Sequence, residues 1–478
     1  MANALTRFLF DPVDARADRV PPRHRFTGSQ LSWIAPLGLG VVGLLVFAAF
    51  LFVEPSRVLF AYLIAWVFCL SIAIGALFFV MIQHITKARW STTIRRIPEA
   101  LAANFPLLAL AGIPVLLGNY DLFHWTHAEL FDPASPNYDY LVAGKEAYLN
   151  LPFFVARYVL YFAIWSWLGH KLYTLSVGGD TDPDPDRTLA LRKVSAYGIP
   201  LAAVATAFAG YDYLMSTDPH WFSTMFGIYF FAGGWLGSLC LITFMALWFK
   251  RMGMLPEVTV EHLQDMGKFM FAFVVFWTYI AFSQYMLYWY ANIPEETVWF
   301  LKRTSFGWET VAWSLVIFHF VLPFLILLPR ATKRIAPVLA VMAAWILVVH
   351  WVDLWWVAMP AMEAEEAYGY EEAAAAPPAE DATALQIVPV QQEIGGFNDL
   401  EGPLDPEDMT TATPGPGETP ATVFDIDVVP PALPLLEMVV WLGLFGLFVG
   451  VTVLRLRRHA LTPYNDPYFA DSLRFENV

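Results

Sequence analysis

Nine side chains in the long apolar runs of this chain carry chemistry that does not belong in an oily setting: Asp212, Asp265, Lys268, Tyr279, Gln284, Glu309, His319, His350 and Asp353. A charged or strongly polar group there is costly unless it is paired or hydrated, so each one asks for a reason. His350 and Asp353 are three residues apart, hence on one helix face, where the carboxylate would orient the imidazole. Asp265 and Lys268 share that spacing and would pair. Tyr279 and Ser283, four apart, would bridge through hydroxyls or water. Chains of Asp, Glu and His are what a proton relay requires, because each member accepts and releases a proton without leaving a lasting buried charge. Such a relay would have two half-channels, with Lys268 and Asp265 entering from one side. Glu309, Asp212, His350 and Asp353 would enter from the other and meet them near His319. The same residues would serve equally as interhelical hydrogen bonds and ion pairs that hold a bundle together. A third reading makes His319 and His350 ligands of a b-type haem, although haem bundles usually stack His pairs on the same two helices and no repeated pair exists here.

The elements that would position these groups are membrane helices. Of 478 residues, 58% are hydrophobic and 15% charged, and the mean hydropathy is +0.51, which excludes most soluble enzyme classes. Sixteen percent aromatic residues, with 19 Trp, suit a protein that marks two water–lipid interfaces. A crossing helix needs about 20 apolar residues. Ten stretches qualify, near 33–53, 59–84, 98–118, 152–177, 194–216, 222–249, 266–290, 306–329, 335–359 and 434–455, the third interrupted by Asn104, Pro106 and Pro114. Only two cysteines occur, Cys69 and Cys240, both inside apolar runs and neither in a CxxC motif. The chain by itself is therefore expected to hold no iron–sulfur cluster, covalent haem or structural zinc, so its expected metal and catalytic ligand sets are empty.

Charge sets the orientation. With ten crossings both ends share a side, and 23 of the 28 Lys and Arg residues fall on that side. Among them are Arg7 to Arg25 in the N-terminal arm, Lys87 to Arg96, Arg187 to Lys193, Arg330 to Arg334 and Arg455 to Arg474. The opposite side holds Arg57, Lys145, Arg157, Lys302 and Arg303. The positive-inside rule then predicts cytoplasmic termini, with the first helix as an uncleaved insertion signal. The net charge of −15 is regional: residues 361–433 contain 16 Asp and Glu and no Lys or Arg, leaving +1 for the remainder. The domain plan is an N-terminal arm (1–32), a first transmembrane part (33–193) with an outer loop (119–151), and a second transmembrane part (194–360). An acidic Pro/Ala-rich periplasmic strap (361–433), a tenth helix (434–455) and a cytoplasmic tail (456–478) complete it. The strap has too few large apolar residues to fold alone. It reads as a passive tether or as a segment lying on a basic partner.

Four runs resemble a known family: YDYLMSTDPHWFSTMFG from Tyr211, FAFVVFWTYIAFSQYMLYWYANIPEE from Phe271, HFVLPFLILLPRATKR from His319 and WVDLWWVAMP from Trp351. They are similar to the ActF family, the second NrfD-like integral membrane subunit of alternative complex III, a bacterial quinol:electron acceptor oxidoreductase. The likeness is close over 190–360 and looser before it. It implies an all-α membrane protein with two NrfD-like four-helix bundles plus two peripheral helices. As partners it implies a sister NrfD-like membrane subunit, an iron–sulfur subunit, pentahaem and monohaem cytochrome c subunits, often an oxygen reductase, and no nucleic acid. Quinol, menaquinone in kind, and lipids are the small molecules it implies, and this chain would be a non-catalytic or quinol-interacting subunit without metal cofactors of its own. The family's quinol-binding residues have no counterpart motif here. A stand-alone secondary transporter or proton channel is the alternative expectation, and a b-type cytochrome ranks behind it.

Overall fold

Apolar runs of this length become helices because lipid offers the backbone no hydrogen bonds, so each segment must satisfy its own. A computed structural model describes residues 20–182, 184–362, 431 and 434–477. The first 19 residues and nearly all of the acidic 361–433 segment lie outside them. The described chain is all helix and loop, without a strand, and ten of its helices are long and apolar enough to cross a membrane. They are α1 (Leu31–Phe50), α2 (Pro55–Ile85), α3 (Arg96–Leu117), α4 (Leu151–Thr181), α5 (Pro185–Tyr213), α6 (Phe226–Arg251), α7 (Val260–Ala291), α8 (Trp308–Leu327), α9 (Ala336–Ala358) and α10 (Leu435–Leu456). The protein is a multi-pass membrane protein, as its sequence pattern predicts.

Helix packing gives the expected division into two four-helix bundles and a peripheral pair. Helices α2 to α5 pack on one another, α6 to α9 do the same, and α2 meets α6 along the seam between them. Small residues let those two backbones approach: a Cβ on Gly75 would lie 2.5 Å from the Gly234 carbonyl oxygen, and one on Gly234 would lie 2.7 Å from that of Ser71. With bundles on both sides, α2 is buried along its whole crossing. Helices α1 and α10 pair with each other, and α10 rests on α2.

Three departures from the apolar pattern matter. Helix α3 is broken into Arg96–Ala102, Phe105–Ala111 and Ile113–Leu117, with proline in the first turn of the second and third pieces. Proline cannot continue a preceding helix because it lacks the N–H and clashes one turn back. At the first break the buried Asn104 amide donates to Thr452 of α10 at 2.6 Å, so the interruption becomes a tie. Helix α5 starts well before its apolar run, capped by the Asp184 carboxylate accepting from the Asp186 N–H. Helix α8 contains a π-turn at Val316–Val321. Pro323 lies just beyond it and would clash with the carbonyl of His319 in a regular helix, which accounts for the wider turn.

Both described ends meet on one face. The N–H of Leu461 donates to the carbonyl of His24 at 2.8 Å, and the His24 ring stacks on Tyr464 with centroids 5.0 Å apart. The tail then crosses this face: Tyr464 and Asn465 donate to the Asp180 carbonyl, Asp466 pairs with Arg95, and Asn477 reaches Lys268 and Glu261. The opposite face carries the longer connections, among them 119–150 with its Asp139-capped turn at Tyr140–Ala143 and the helix Pro294–Thr304.

The α1–α10 contact is set by Gly43, where an added Cβ would meet the Gly443 Cα at 2.5 Å, whereas Gly38 on the same helix has nothing within 4 Å. Gly43→Val is expected to lower the thermal unfolding midpoint of the detergent-solubilised protein, at a cost of about 1–3 kcal/mol for overpacking. Gly38→Val should leave that midpoint nearly unchanged.

Candidate functional site

The second bundle encloses a polar cluster built from one residue or two per helix. Helix α9 supplies His350 and Asp353, each 1% exposed, on one face. The Asp353 carboxylate accepts from the Tyr229 hydroxyl of α6 and, at 3.3 Å, from the Trp277 indole N–H of α7. His350 Nε2 lies 3.0 Å from the Ser71 hydroxyl of α2. That hydroxyl donates to the Phe68 carbonyl at 2.9 Å, so it accepts from His350 Nε2–H. Nδ1 is left as the bare ring nitrogen, 4.0 Å from the Asp353 carboxylate and without a hydrogen-bond partner. The carboxylate thus faces the imidazole across a gap rather than orienting it through a bond.

His319 closes the cluster from α8. It lies in the π-turn, is fully buried, and neither ring nitrogen has a hydrogen-bond partner among the described residues. The edge of Trp277 contacts it with centroids 3.8 Å apart. A carbonyl of the same turn, that of Phe318, accepts from the Trp345 indole at 3.0 Å. Space for the His350 ring comes from α6, where a Cβ on Gly233 would lie 2.9 Å from Cε1 and one on Gly237 3.1 Å from Cδ2. Ser71, Tyr229, Trp277, His319, His350 and Asp353 therefore form one enclosed set in which both His319 nitrogens and the His350 Nδ1 have no hydrogen-bond partner among the described residues. His319 is packed against Trp277, and His350 against Gly233 and Gly237 of α6.

Of the nine side chains singled out by sequence, only His319, His350 and Asp353 belong to this set. Asp212 is in the first bundle and is saturated: Arg157 grips both its oxygens at 2.8 and 2.9 Å, and the hydroxyls of Tyr148 and Tyr161 donate at 2.9 and 2.8 Å. It is a held ion pair rather than a relay member. Gln284 is buried and accepts from Ser223 at 3.2 Å. Tyr279 is 63% exposed, and the Ser283 hydroxyl donates to its backbone carbonyl, so no hydroxyl bridge points inward. Glu309 is exposed as well and accepts from the Gly307 N–H at 2.8 Å, where Gly307 takes φ +94°. A carboxylate at a helix start is drawn to the free N–H groups there, which is why it does not turn inward. Asp265 and Lys268 do pair, at 2.9 Å, but on the termini face. Lys268 lies nine residues before Trp277, roughly 14 Å along the helix at 1.5 Å per residue.

Two features escape the sequence reading. At the termini end of the first bundle, Arg95 and Arg96 both reach Glu99, at 3.0 and 3.3 Å, Arg96 reaches Asp180 at 2.7 Å, and the Ser176 hydroxyl lies 2.8 Å from both Glu99 oxygens. The three- and four-residue spacings of Arg95 and Arg96 from Glu99 are the signal that would have found this network. On the opposite face, Arg303 is fully buried, donates to the carbonyls of Val357 and Trp299, and stacks over the Trp299 ring at 3.7 Å. Burial pulls its guanidinium down from its usual range to about 9. It clamps the end of α9 just beyond Asp353.

Among the described residues no group of three or more His, Cys, Asp and Glu is arranged to hold a metal ion. Compared with known proteins, the chain matches no protein-family model and no curated relative.

Removing one partner of a buried ion pair strands the other. Arg157→Met is expected to destabilise the protein by about 3–5 kcal/mol, while the double change Arg157→Met with Asp212→Leu recovers most of that loss. Unfolding midpoints of the three proteins in one detergent check this, and an Arg157→Met protein as stable as the parent would contradict the holding role.

Proposed function

We propose that this chain is a membrane subunit of a bacterial quinol:electron acceptor oxidoreductase of the alternative complex III type, a scaffold that also conducts protons through its second bundle. The observation that carries the proton-conducting part is the enclosed set around Asp353, in which two imidazoles hold unused nitrogens beside a buried carboxyl group. Hydrogen-bonded or near-contact groups of this kind pass a proton by short hops, each member taking one and giving one up. In the proposed sense of travel, protons reach His319 from the termini face, which the positive-inside rule predicts to be cytoplasmic. They continue to Asp353, and Tyr229 leads on toward the far face. Quinol oxidation in a neighbouring subunit would supply the driving event, and this chain's residues would hold and hand on the proton.

The resemblance of the four sequence runs supports membership in that assembly, and it supports the partners: a sister membrane subunit, an iron–sulfur subunit, the multihaem and monohaem cytochromes, and an oxygen reductase. The saturated Arg157–Asp212 pair and the Arg95–Arg96–Glu99–Asp180 network support the scaffold part, since their ion pairs fix helices to one another.

The test is a proton count on the purified complex in sealed vesicles. Asp353→Asn is expected to lower the protons released per electron while quinol oxidation stays within about twofold of the parent. An unchanged ratio would leave the scaffold role and remove the conducting one.

A further inference from the structure

On the loop face, outside both polar networks, a cavity of about 390 Å³ opens between residues 144–149, the end of α5 and residues 219–222. Its wall includes Lys145, Tyr148, Tyr211, Ser216, Trp221 and Phe222. Most of the wall is apolar or aromatic, and the hydroxyls in it are already engaged: Tyr148 donates to Asp212, Tyr211 to the Thr224 carbonyl and Ser216 to the Asp212 carbonyl. Two donors are not fully engaged. The Trp221 indole is 4% exposed, stacks on Trp299 at 4.2 Å, and its N–H has no acceptor among the described residues. Lys145 spends one of its three N–H groups on the Pro219 carbonyl at 2.5 Å and has no carboxylate within ion-pair distance among the described residues. The nearby Asp139 and Asp218 are committed to His220 and Lys302. Burial lowers the Lys145 ammonium below its usual range, while the charges of Asp139 and Asp218 pull the other way.

The cavity also has a tail-shaped approach. Helix α5 exposes Tyr197, Leu201, Val204 and Phe208, one stripe at helical spacing that ends at Tyr211 in the cavity wall. Phe208 contacts the rings of both Tyr148 and Tyr211, with centroids 6.4 and 5.7 Å apart, so the stripe runs into the cavity without a break. An amphiphile with an anionic head and long apolar chains fits both parts at once.

We propose that this cavity binds a phospholipid of the loop-face leaflet: its phosphate accepts from Lys145 Nζ, and an acyl chain lies along the α5 stripe. A free phosphate ion shares the head chemistry but has no use for the stripe. The site is independent of the proton path and of the assembly proposed above.

The full chain, delipidated in detergent, is titrated with phosphatidylglycerol, with diacylglycerol and with inorganic phosphate, and retained adducts are counted by native mass spectrometry. The expected result is one phosphatidylglycerol that survives collisional activation in the parent and in Lys145→Arg. Its retention falls about tenfold in Lys145→Gln, and diacylglycerol is not held. All variants should unfold within a few degrees of the parent, which separates loss of the site from loss of the fold. Unchanged retention in Lys145→Gln, equal retention of diacylglycerol, or displacement of the lipid by millimolar inorganic phosphate would overturn the proposal, the last by making the site one for a free anion.

Discussion

Hydrocarbon cannot answer a hydrogen bond, and this one constraint organises the protein. A polar group carried into the apolar slab is stable when another part of the chain meets it, and several strong charges here are met in that way, while Asp180, Tyr213, His84 and several indoles keep buried atoms without a hydrogen-bond partner among the described residues. Asp212 receives four donors from three side chains of the first bundle. Asn104 is bound to Thr452, and Glu99 is enclosed by two arginines and a serine. These are full solutions, and fully solved groups lock helices together. The cluster around Asp353 is solved only in part, because His319 and the Nδ1 of His350 are enclosed without partners. Incomplete satisfaction is destabilising, and the proposed transient uptake of protons would give the fold a reason to keep it at this cluster.

The two bundles differ in how they hold their polar groups. The first bundle is wrapped around α2 and closed at one end by the C-terminal tail, which ties to Arg95, the Asp180 carbonyl and the 90–93 turn. There Arg157 pairs with Asp212 and Arg95 with Glu99 at short range, while one Asp180 oxygen and two Arg96 nitrogens have no hydrogen-bond partner among the described residues. In the second bundle the π-turn of α8 widens one helix beside Trp277, and the small residues Gly233 and Gly237 of α6 give His350 its place. Such turns recur at functional positions because they re-aim a side chain at the expense of regular hydrogen bonding.

Much of the fold could be read from the sequence, since hydropathy and the 3.6-residue period are all that a lipid-spanning helix needs. All ten spans were found, and the errors lay at ends such as Pro185, where a capped helix continues into water beyond its apolar run. The site was less legible. A polar residue in an apolar run announces itself, but its direction depends on neighbours that sequence spacing does not supply. His350 and Asp353 share a face as their spacing implies, yet the carboxyl is held by Tyr229 and Trp277, ordinary aromatic residues in an aromatic-rich chain. Glu309 and Tyr279 look equivalent to Asp353 in sequence and face outward, one drawn to a helix start and the other to the open side of α7.

The central claim is that Asp353 is secluded from lipid by the second bundle. A lipid-soluble carbodiimide applied to the protein in membranes, followed by peptide mapping, tests this directly, with Glu309 as an exposed internal reference. The account predicts modification at Glu309 and none at Asp353 in the folded protein. Labelling of Asp353 at a rate comparable to Glu309 would contradict it.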